Sequence, residues 1–147
     1  MSLIFFVVVT IGGGLLIGFV TRPGEWYVGL SKPWFTPPNT VFGPVWTLLY
    51  VMIAIAGWRA FTVDAVGPPI TVWTIALVLN FAWSPVFFRL RRPPAALFVI
   101  LALLAMIIAF IALSWSQDEL SALLFIPYAA WVAFATLLNA AICRLNR

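Results

Sequence analysis

Five long apolar runs dominate the sequence and restrict the folds open to the chain. They cover residues 3–20, 41–61, 70–88, 95–115 and 120–143. Each run is close to the ~20 residues that an α-helix needs to cross the hydrocarbon core of a bilayer. The runs lack the alternation of polar and apolar residues that is typical of barrel strands. We therefore predict an all-α membrane protein, a single bundle of five transmembrane helices over residues 1–147 with a structured first loop.

The composition excludes a soluble domain and most metal chemistry. The chain is 65% hydrophobic and 8% charged, whereas soluble domains are about 45–50% apolar and about 25% charged. Cys143 is the one cysteine, and there is no histidine. The sequence therefore has no internal disulfide and no zinc, haem-ligand or iron–sulfur pattern, and we predict no metal site and no cofactor. Residues 3–20 lack a basic flank and a cleavage pattern, so we expect a spanning helix there.

The distribution of charge predicts the orientation in the membrane. With five spans, the first loop, the third loop and the C-terminal end share one side. That side holds seven of the eight cations, namely Arg22, Lys32, Arg89, Arg91, Arg92, Arg144 and Arg147. The positive-inside rule places this side in the cytoplasm and the N-terminus outside. The short termini favour a prokaryotic cell membrane, and the +4 net charge reflects loop anchors, not nucleic-acid binding.

The first loop has an unusual composition for a membrane loop. Between Trp26 and Pro38 it places four aromatic residues and three prolines around Lys32. Proline fixes φ and removes N–H donors, so residues 32–38 are predicted to form a stiff, non-helical cover. An aromatic belt that anchors helix ends is the alternative interpretation. The proline density favours a lid over a cavity.

Three of the predicted helices carry aromatic and amide side chains at helical spacing. The residues that share a face within each helix are Trp46 and Tyr50; Asn80, Trp83 and Phe87; and Tyr128, Trp131, Ala135 and Asn139. An amide near the middle of the membrane must face protein or a polar ligand, so Asn80 serves either an interhelical hydrogen bond or a ligand. Together with Trp26, Tyr27 and Trp34, these stripes would line an apolar cavity suited to a planar lipophile such as a sterol or tetrapyrrole. Aromatics that only fill helix interfaces are the alternative.

Proline and glycine positions give three further local predictions. Pro44 is expected in the first turn of its helix, where a missing N–H costs nothing. Pro85 is expected to kink the third span before a tight basic turn at residues 89–94. Gly14 and Gly18 are expected to allow close helix packing, with a dimer seam as the alternative.

Four motifs follow one another along the chain. They are Trp26-Tyr27 with Leu30-x-Lys32-Pro33-Trp34-Phe35-x-Pro37-Pro38; Val41-Phe42-x-Pro44-x-Trp46-Thr47-x-x-Tyr50; Asn80-x-x-Trp83-x-Pro85-x-Phe87-Phe88; and Pro127-Tyr128-x-x-Trp131 with Ala135-Thr136-x-x-Asn139. In this order they cover essentially the whole chain. The chain resembles the TspO/MBR family (translocator protein, peripheral-type benzodiazepine receptor), as a prokaryotic member.

The resemblance implies a five-helix bundle that often forms a homodimer. It also implies a pocket beneath the first loop for porphyrins such as protoporphyrin IX, for sterols in some members, and for synthetic benzodiazepine-type ligands. In similar proteins the pocket is lined at positions matching Tyr27, Trp46, Asn80 and Trp131. The chain departs from animal members after Asn139, where Ala140 replaces the aromatic of a cholesterol-recognition pattern. That departure argues against tight sterol binding at this end.

We therefore predict an integral membrane receptor or translocator for porphyrins and other lipophilic polycyclic ligands. The predicted ligand-binding residues are Trp26, Tyr27, Trp34, Trp46, Tyr50, Asn80, Trp83, Phe87, Tyr128, Trp131, Ala135 and Asn139. The alternative is an enzyme that degrades porphyrin by photo-oxidation, a reaction that the resemblance assigns to positions matching Trp46 and Trp131. No acid–base pair or activated nucleophile indicates a conventional enzyme. An ion-coupled exporter is disfavoured because all four carboxylates lie in loops.

Overall fold

The computed structural model describes residues 2–147, most of which are helical. Five helices are long and apolar enough to cross a membrane: α1 (Leu3–Val20), α3 (Asn39–Val63), α4 (Pro68–Arg89), α5 (Pro93–Ser114) and α6 (Glu119–Leu145). A single helical turn, α2 (Glu25–Val28), lies in the first loop. Among the described residues there is no strand. The prediction of five membrane-spanning helices is confirmed, and every span ends within two residues of its predicted bounds.

The helices pack as a bundle in which α5 lies between α4 and α6. Helix α3 contacts α1, α4 and the first turns of α6, and α1 also lies against α4. Small buried residues of α3, including Ala54, Ala56 and Ala60, allow neighbouring helices to approach closely. Large apolar side chains such as Phe19 and Phe98 point away from the bundle. That arrangement suits a surface covered by lipid tails.

Helix α1 is placed by small residues and one hydroxyl. A Cβ at Gly13 would lie 2.6 Å from the ring of Phe81, and a Cβ at Gly14 would overlap the ring of Tyr50. The hydroxyl of Thr10 donates to the main-chain carbonyl of Tyr50 (3.2 Å). Gly14 therefore packs closely, as predicted. A Cβ at Gly18 would meet no atom of the described chain within 4 Å, so Gly18 does not pack closely within the chain. The alternative, a dimer seam, stays a prediction.

Two prolines interrupt main-chain hydrogen bonding in different ways. The prediction that Pro44 occupies the first turn of α3 is wrong, because that helix begins at Asn39, directly after the extended Pro38. Pro44 thus lies inside the helix, where it cannot donate to the carbonyl of Thr40. Pro85 widens the last turn of α4, where the N–H of Leu90 donates to the carbonyl of Pro85 (2.9 Å), five residues back.

The predicted tight turn after α4 is confirmed. The N–H of Arg92 donates to the carbonyl of Val86 (3.1 Å), and Arg91 adopts a left-handed conformation with φ of 55°. This combination closes a helix C-terminus in a Schellman-like turn, a position that normally favours glycine. The turn presents its arginines beside the first residues of α5.

Residues 31–38 of the first loop, which we call the proline segment, contain no helical residue. The N–H and the hydroxyl of Thr36 both donate to the carbonyl of Pro33, at 3.2 and 2.8 Å. This turn is stiffened by proline on both sides. The prediction of a non-helical segment is confirmed.

Candidate ligand-binding site

A cluster of aromatic side chains lies between α3 and α6. The ring centroid of Trp46 lies 5.6 Å from that of Tyr50, 6.4 Å from that of Tyr128 and 6.5 Å from that of Trp131. All four residues fall on the stripes that the sequence predicted, and Tyr128 is almost completely buried. The structure therefore brings these two stripes together.

Asn80 of α4 connects this cluster by hydrogen bonds. The hydroxyl of Tyr50 donates to Oδ1 of Asn80 (2.9 Å), and Nδ2 of Asn80 donates to the hydroxyl oxygen of Tyr128 (2.6 Å). The amide is 6% exposed, so these bonds satisfy a group that could not be left unpaired in the membrane. We call Trp46, Tyr50, Asn80, Tyr128 and Trp131 the Asn80 cluster. Here the amide makes the interhelical bonds that were one of its two predicted roles.

A second buried amide, Asn139 of α6, organises the residues nearer the end of the bundle that carries the first loop. The indole N–H of Trp83 donates to Oδ1 of Asn139 (2.9 Å), and Nδ2 of Asn139 donates to the carbonyl of Pro93 (2.9 Å). The ring of Phe87 lies 5.1 Å from that of Trp83. These contacts join α4, α5 and α6, and Ala135 is buried one turn before Asn139.

The first loop docks on this second group through its aromatic residues. The ring of Tyr27 meets Phe87 at 6.2 Å and Phe88 at 5.2 Å, and the ring of Trp26 meets Phe87 at 6.0 Å. The Nζ of Lys32 lies 4.6 Å from the centroid of the Tyr27 ring, a cation–π contact. Burial raises the pKa of the Tyr27 hydroxyl, so this side chain stays neutral at physiological pH.

The proline segment makes one further aromatic contact and leaves one predicted residue outside. The ring of Phe35 lies 6.0 Å from that of Phe134 on α6. Trp34, by contrast, is 94% exposed and lies at neither cluster. Its assignment as a ligand-binding residue stays a prediction, and a ligand would reach it only at the loop surface.

A groove of about 480 Å³ opens between α3 and α6. It is lined on α3 by Val45, Leu49 and Met52 and on α6 by Pro127, Trp131 and Phe134. Apart from Trp131, these residues were absent from the predicted site. Their spacing of four and three residues on each helix could have indicated a shared face. Aliphatic residues at that spacing look the same whether they face a ligand or lipid.

Trp131 also carries an unusual polar atom. Its Nε1 is buried and has no hydrogen-bond partner within the described chain. An unpartnered N–H in an apolar setting is costly, and an acceptor that displaced the side chains covering it would satisfy it. Within residues 2–147 no three His, Cys, Asp or Glu side chains could share a metal ion.

The opposite end of the same two helices is held by an ion pair. Arg59 of α3 donates from Nε to Oδ2 of Asp118 (2.8 Å) and from a terminal nitrogen to Oδ1 (2.9 Å). The Ser121 hydroxyl adds a bond to Oδ2 (2.6 Å). The hydrogen bond from Arg59 lowers the pKa of Asp118 below its ordinary value, and that from Ser121 contributes.

Comparisons with known proteins identify the same family over nearly the whole chain. The family model described as "TspO/MBR family" matches residues 5–145. The "Tryptophan-rich protein TspO" of Archaeoglobus fulgidus is 44% identical over 124 residues, covering 82% of this chain and 80% of that protein. The human "Translocator protein" is 41% identical over 143 residues, covering 90% and 83%. The "Tryptophan-rich sensory protein" of Cereibacter sphaeroides is 34% identical over 135 residues, covering 92% and 85%.

Proposed function

Because the chain belongs to the TspO/MBR family, we propose that it is a membrane receptor or translocator for porphyrins. The proposed ligand is protoporphyrin IX or a related tetrapyrrole, bound between α3 and α6 beneath the first loop. One observation carries this proposal: Trp131 belongs to the Asn80 cluster and also lines the groove. Sterols, synthetic benzodiazepine-type ligands, a homodimer and a prokaryotic membrane stay predictions from the sequence.

The chemistry of the site supports a large, flat and mostly apolar ligand. The groove volume of about 480 Å³ falls in the range of about 300–1,000 Å³ for small-molecule sites. Indole and phenol rings offer flat faces on which a macrocycle can stack. The buried Nε1 of Trp131 can donate to an acceptor on the ligand.

A ligand that reaches the inner residues of the Asn80 cluster must rearrange them. The predicted contacts Tyr50, Asn80 and Tyr128 are hydrogen-bonded to one another, so a ligand that reaches them must replace those bonds. A porphyrin that remains in the groove needs only Trp131 and its neighbours. The groove is therefore the proposed first point of contact, and the Asn80 cluster is its inner wall.

The propionates of a porphyrin also need cations at the membrane surface. The cytoplasmic loops carry Lys32, Arg89, Arg91 and Arg92. The one ion pair of residues 2–147 joins Arg59 and Asp118, so these four cations have no carboxylate partner in the described chain. The planar guanidinium group of arginine can donate two parallel hydrogen bonds to one carboxylate.

A titration with protoporphyrin IX tests the proposal. Purified protein should show tryptophan quenching that saturates, and Trp46→Ala combined with Trp131→Ala should weaken binding by at least about tenfold, because both rings line the proposed site. Trp131→Phe, which keeps an aromatic ring, guards against a general loss of packing. Trp115→Ala is the matched control, because Trp115 is 51% exposed at the other end of the bundle. Unchanged affinity in the double variant would reject the site.

Photo-oxidation of porphyrin is the second candidate function. The rings of Trp46 and Trp131 lie 6.5 Å apart, so one bound macrocycle can contact both. With dioxygen and light, wild-type protein should then accelerate the loss of porphyrin absorbance, and Trp131→Phe should slow it. Equal decay in both proteins would exclude this function.

We also propose the orientation with the N-terminus outside and the first loop and C-terminal end in the cytoplasm. A membrane-impermeant maleimide tests it in a Cys143→Ser background. Val66→Cys, at a position that is 89% exposed, should be labelled in intact cells, whereas Gly24→Cys should be labelled only after permeabilisation. The reverse pattern would invert the topology.

A further inference from the structure

The side chain of Asn146 pairs with the main chain of Ser31 in the first loop. The N–H of Ser31 donates to Oδ1 of Asn146 (3.0 Å), and Nδ2 of Asn146 donates to the carbonyl of Ser31 (2.8 Å). The second N–H of the same amide bonds the carbonyl of Ile142 in α6 (2.8 Å). Both N–H donors and the oxygen of the amide thus make hydrogen bonds, and they fix the loop to the last turn of α6.

This pair is unlike the other hydrogen bonds of the loop. In the described part of the chain, every other hydrogen bond made by residues 21–38 joins residues no more than four positions apart. The remaining attachments of the loop are ring contacts such as those of Tyr27 and Phe35. Ring contacts tolerate sliding, whereas two reciprocal hydrogen bonds define a position.

The proline segment transmits this position toward the groove. Ser31 begins the segment, and the turn closed by Thr36 and Pro33 lies between Ser31 and the end of the segment. Within that turn, Phe35 contacts Phe134, which lines the groove and lies 5.6 Å from Trp131. Release of Ser31 would free Phe35 to leave Phe134.

We propose that Asn146 is a positioning residue that holds the proline segment closed over the cytoplasmic end of the groove. In this role it sets how fast a porphyrin enters and leaves, a consequence that rests on the proposed function. Since the pair lies outside the groove, its loss should change the rates of binding in both directions. The affinity should change little.

Amide hydrogen exchange and stopped-flow quenching by protoporphyrin IX test this role in the full-length protein. Asn146→Leu removes the acceptor and both donors, whereas Asn146→Asp keeps an acceptor for the Ser31 N–H. Thr21→Val is the matched control. Thr21 is the first residue of the same loop, but its hydroxyl donates only to the carbonyl of Ile17 in the preceding helix (2.6 Å).

In Asn146→Leu we expect the Ser31 amide to exchange about threefold faster or more, because it loses its hydrogen bond. The effect should be smaller in Asn146→Asp and absent in Thr21→Val. The association and dissociation rates of protoporphyrin IX should rise together in Asn146→Leu, because the loop must open both for entry and for exit. The Kd should therefore change by less than about twofold. The thermal midpoint should fall by less in Asn146→Leu than in Asn80→Leu, because Asn146 is exposed to water and Asn80 is buried.

Three results would overturn the proposal: unchanged Ser31 exchange in Asn146→Leu, faster exchange without faster porphyrin binding, or a weaker Kd caused by dissociation alone. The last result would show that Asn146 supports the site itself. If wild-type protein shows no quenching by protoporphyrin IX, the proposed function is wrong. The exchange of the Ser31 amide then still decides whether Asn146 holds the loop.

Discussion

The two ends of the α3–α6 interface differ in how they are held. At the end far from the first loop, Arg59 and Asp118 form a two-pronged ion pair with help from Ser121. Further along the same helices, a groove of about 480 Å³ separates them. The comparison teaches that one pair of helices can be fixed at one end while leaving space at the other.

The surroundings of the ion pair and of the groove explain why each is tolerated where it lies. The ion pair lies at the end of the bundle, where its side chains are 35% and 14% exposed and water limits both its cost and its value. The groove lies within the apolar part of the bundle. Lipid tails are as apolar as leucine, so an unfilled groove loses little hydrophobic free energy in a membrane. Open space there is therefore tolerated.

The largest expected effect concerns the hydrogen bonds beside the groove. Asn80→Leu leaves the hydroxyls of Tyr50 and Tyr128 without their partner, and we expect a loss of about 2 kcal/mol in the free energy of unfolding. Unfolding in mixed micelles measures it. Thr74→Val is the control, because the Thr74 hydroxyl bonds only Ile70 of its own helix. If Asn80→Leu lost less free energy of unfolding than Asp118→Asn, the ion pair and not the Asn80 cluster would be the stronger link.

A second variant fills the groove without touching the ion pair. Ala130 lines the groove, so a phenylalanine there should occupy ligand space. We expect Ala130→Phe to weaken protoporphyrin IX binding about tenfold, or about 1.4 kcal/mol, with unfolding unchanged. Leu137→Phe, on a lipid-facing position of α6, should have no effect. Normal binding by Ala130→Phe would move the ligand out of the groove.

The ion pair should contribute up to about 1 kcal/mol, because it is partly exposed. The pKa of Asp118 is lowered in the folded protein below its ordinary value of 3.8. Its stabilising effect is therefore present above pH 3.8 and is lost as the pH falls through the folded pKa. Asp118→Asn should remove that pH dependence, whereas Glu119→Gln should preserve it. Unfolding curves measured from neutral to acidic pH distinguish the two.

The smallest expected effect belongs to Trp34. Its side chain is 94% exposed, so Trp34→Ala should change the free energy of unfolding by less than about 0.5 kcal/mol. A titration of the same variant with protoporphyrin IX tests the prediction that Trp34 binds the ligand. Weaker binding would support that prediction. A large loss of stability would mean that the loop packs differently from this structure.

The spans and most of the clustered residues could be predicted because each follows from local chemistry. Hydropathy determines where a helix crosses the membrane, and an amide such as Asn80 must face inward. The partners of that amide could not be predicted, because Tyr50 and Tyr128 meet it only through the packing of three helices. Pro44 was misplaced because its helix begins earlier than its apolar run does.

The aliphatic lining of the groove and the contact between Asn146 and Ser31 escaped prediction for related reasons. Val45 and Met52 line the groove, yet nothing in their chemistry separates them from residues that face lipid. Asn146 lies 115 positions from Ser31, and a polar residue after the last apolar run resembles any helix end. Such long-range polar pairs depend on tertiary structure.

The close approach of α1 to Tyr50 has a consequence for the design of variants. Thr10 binds the main-chain carbonyl of Tyr50, and Gly14 leaves room for its ring. An added methyl group at Gly14 would tilt that ring and, with it, the hydroxyl that serves Asn80. The geometry of the Asn80 cluster can therefore be altered from the first helix, by a residue outside the proposed site.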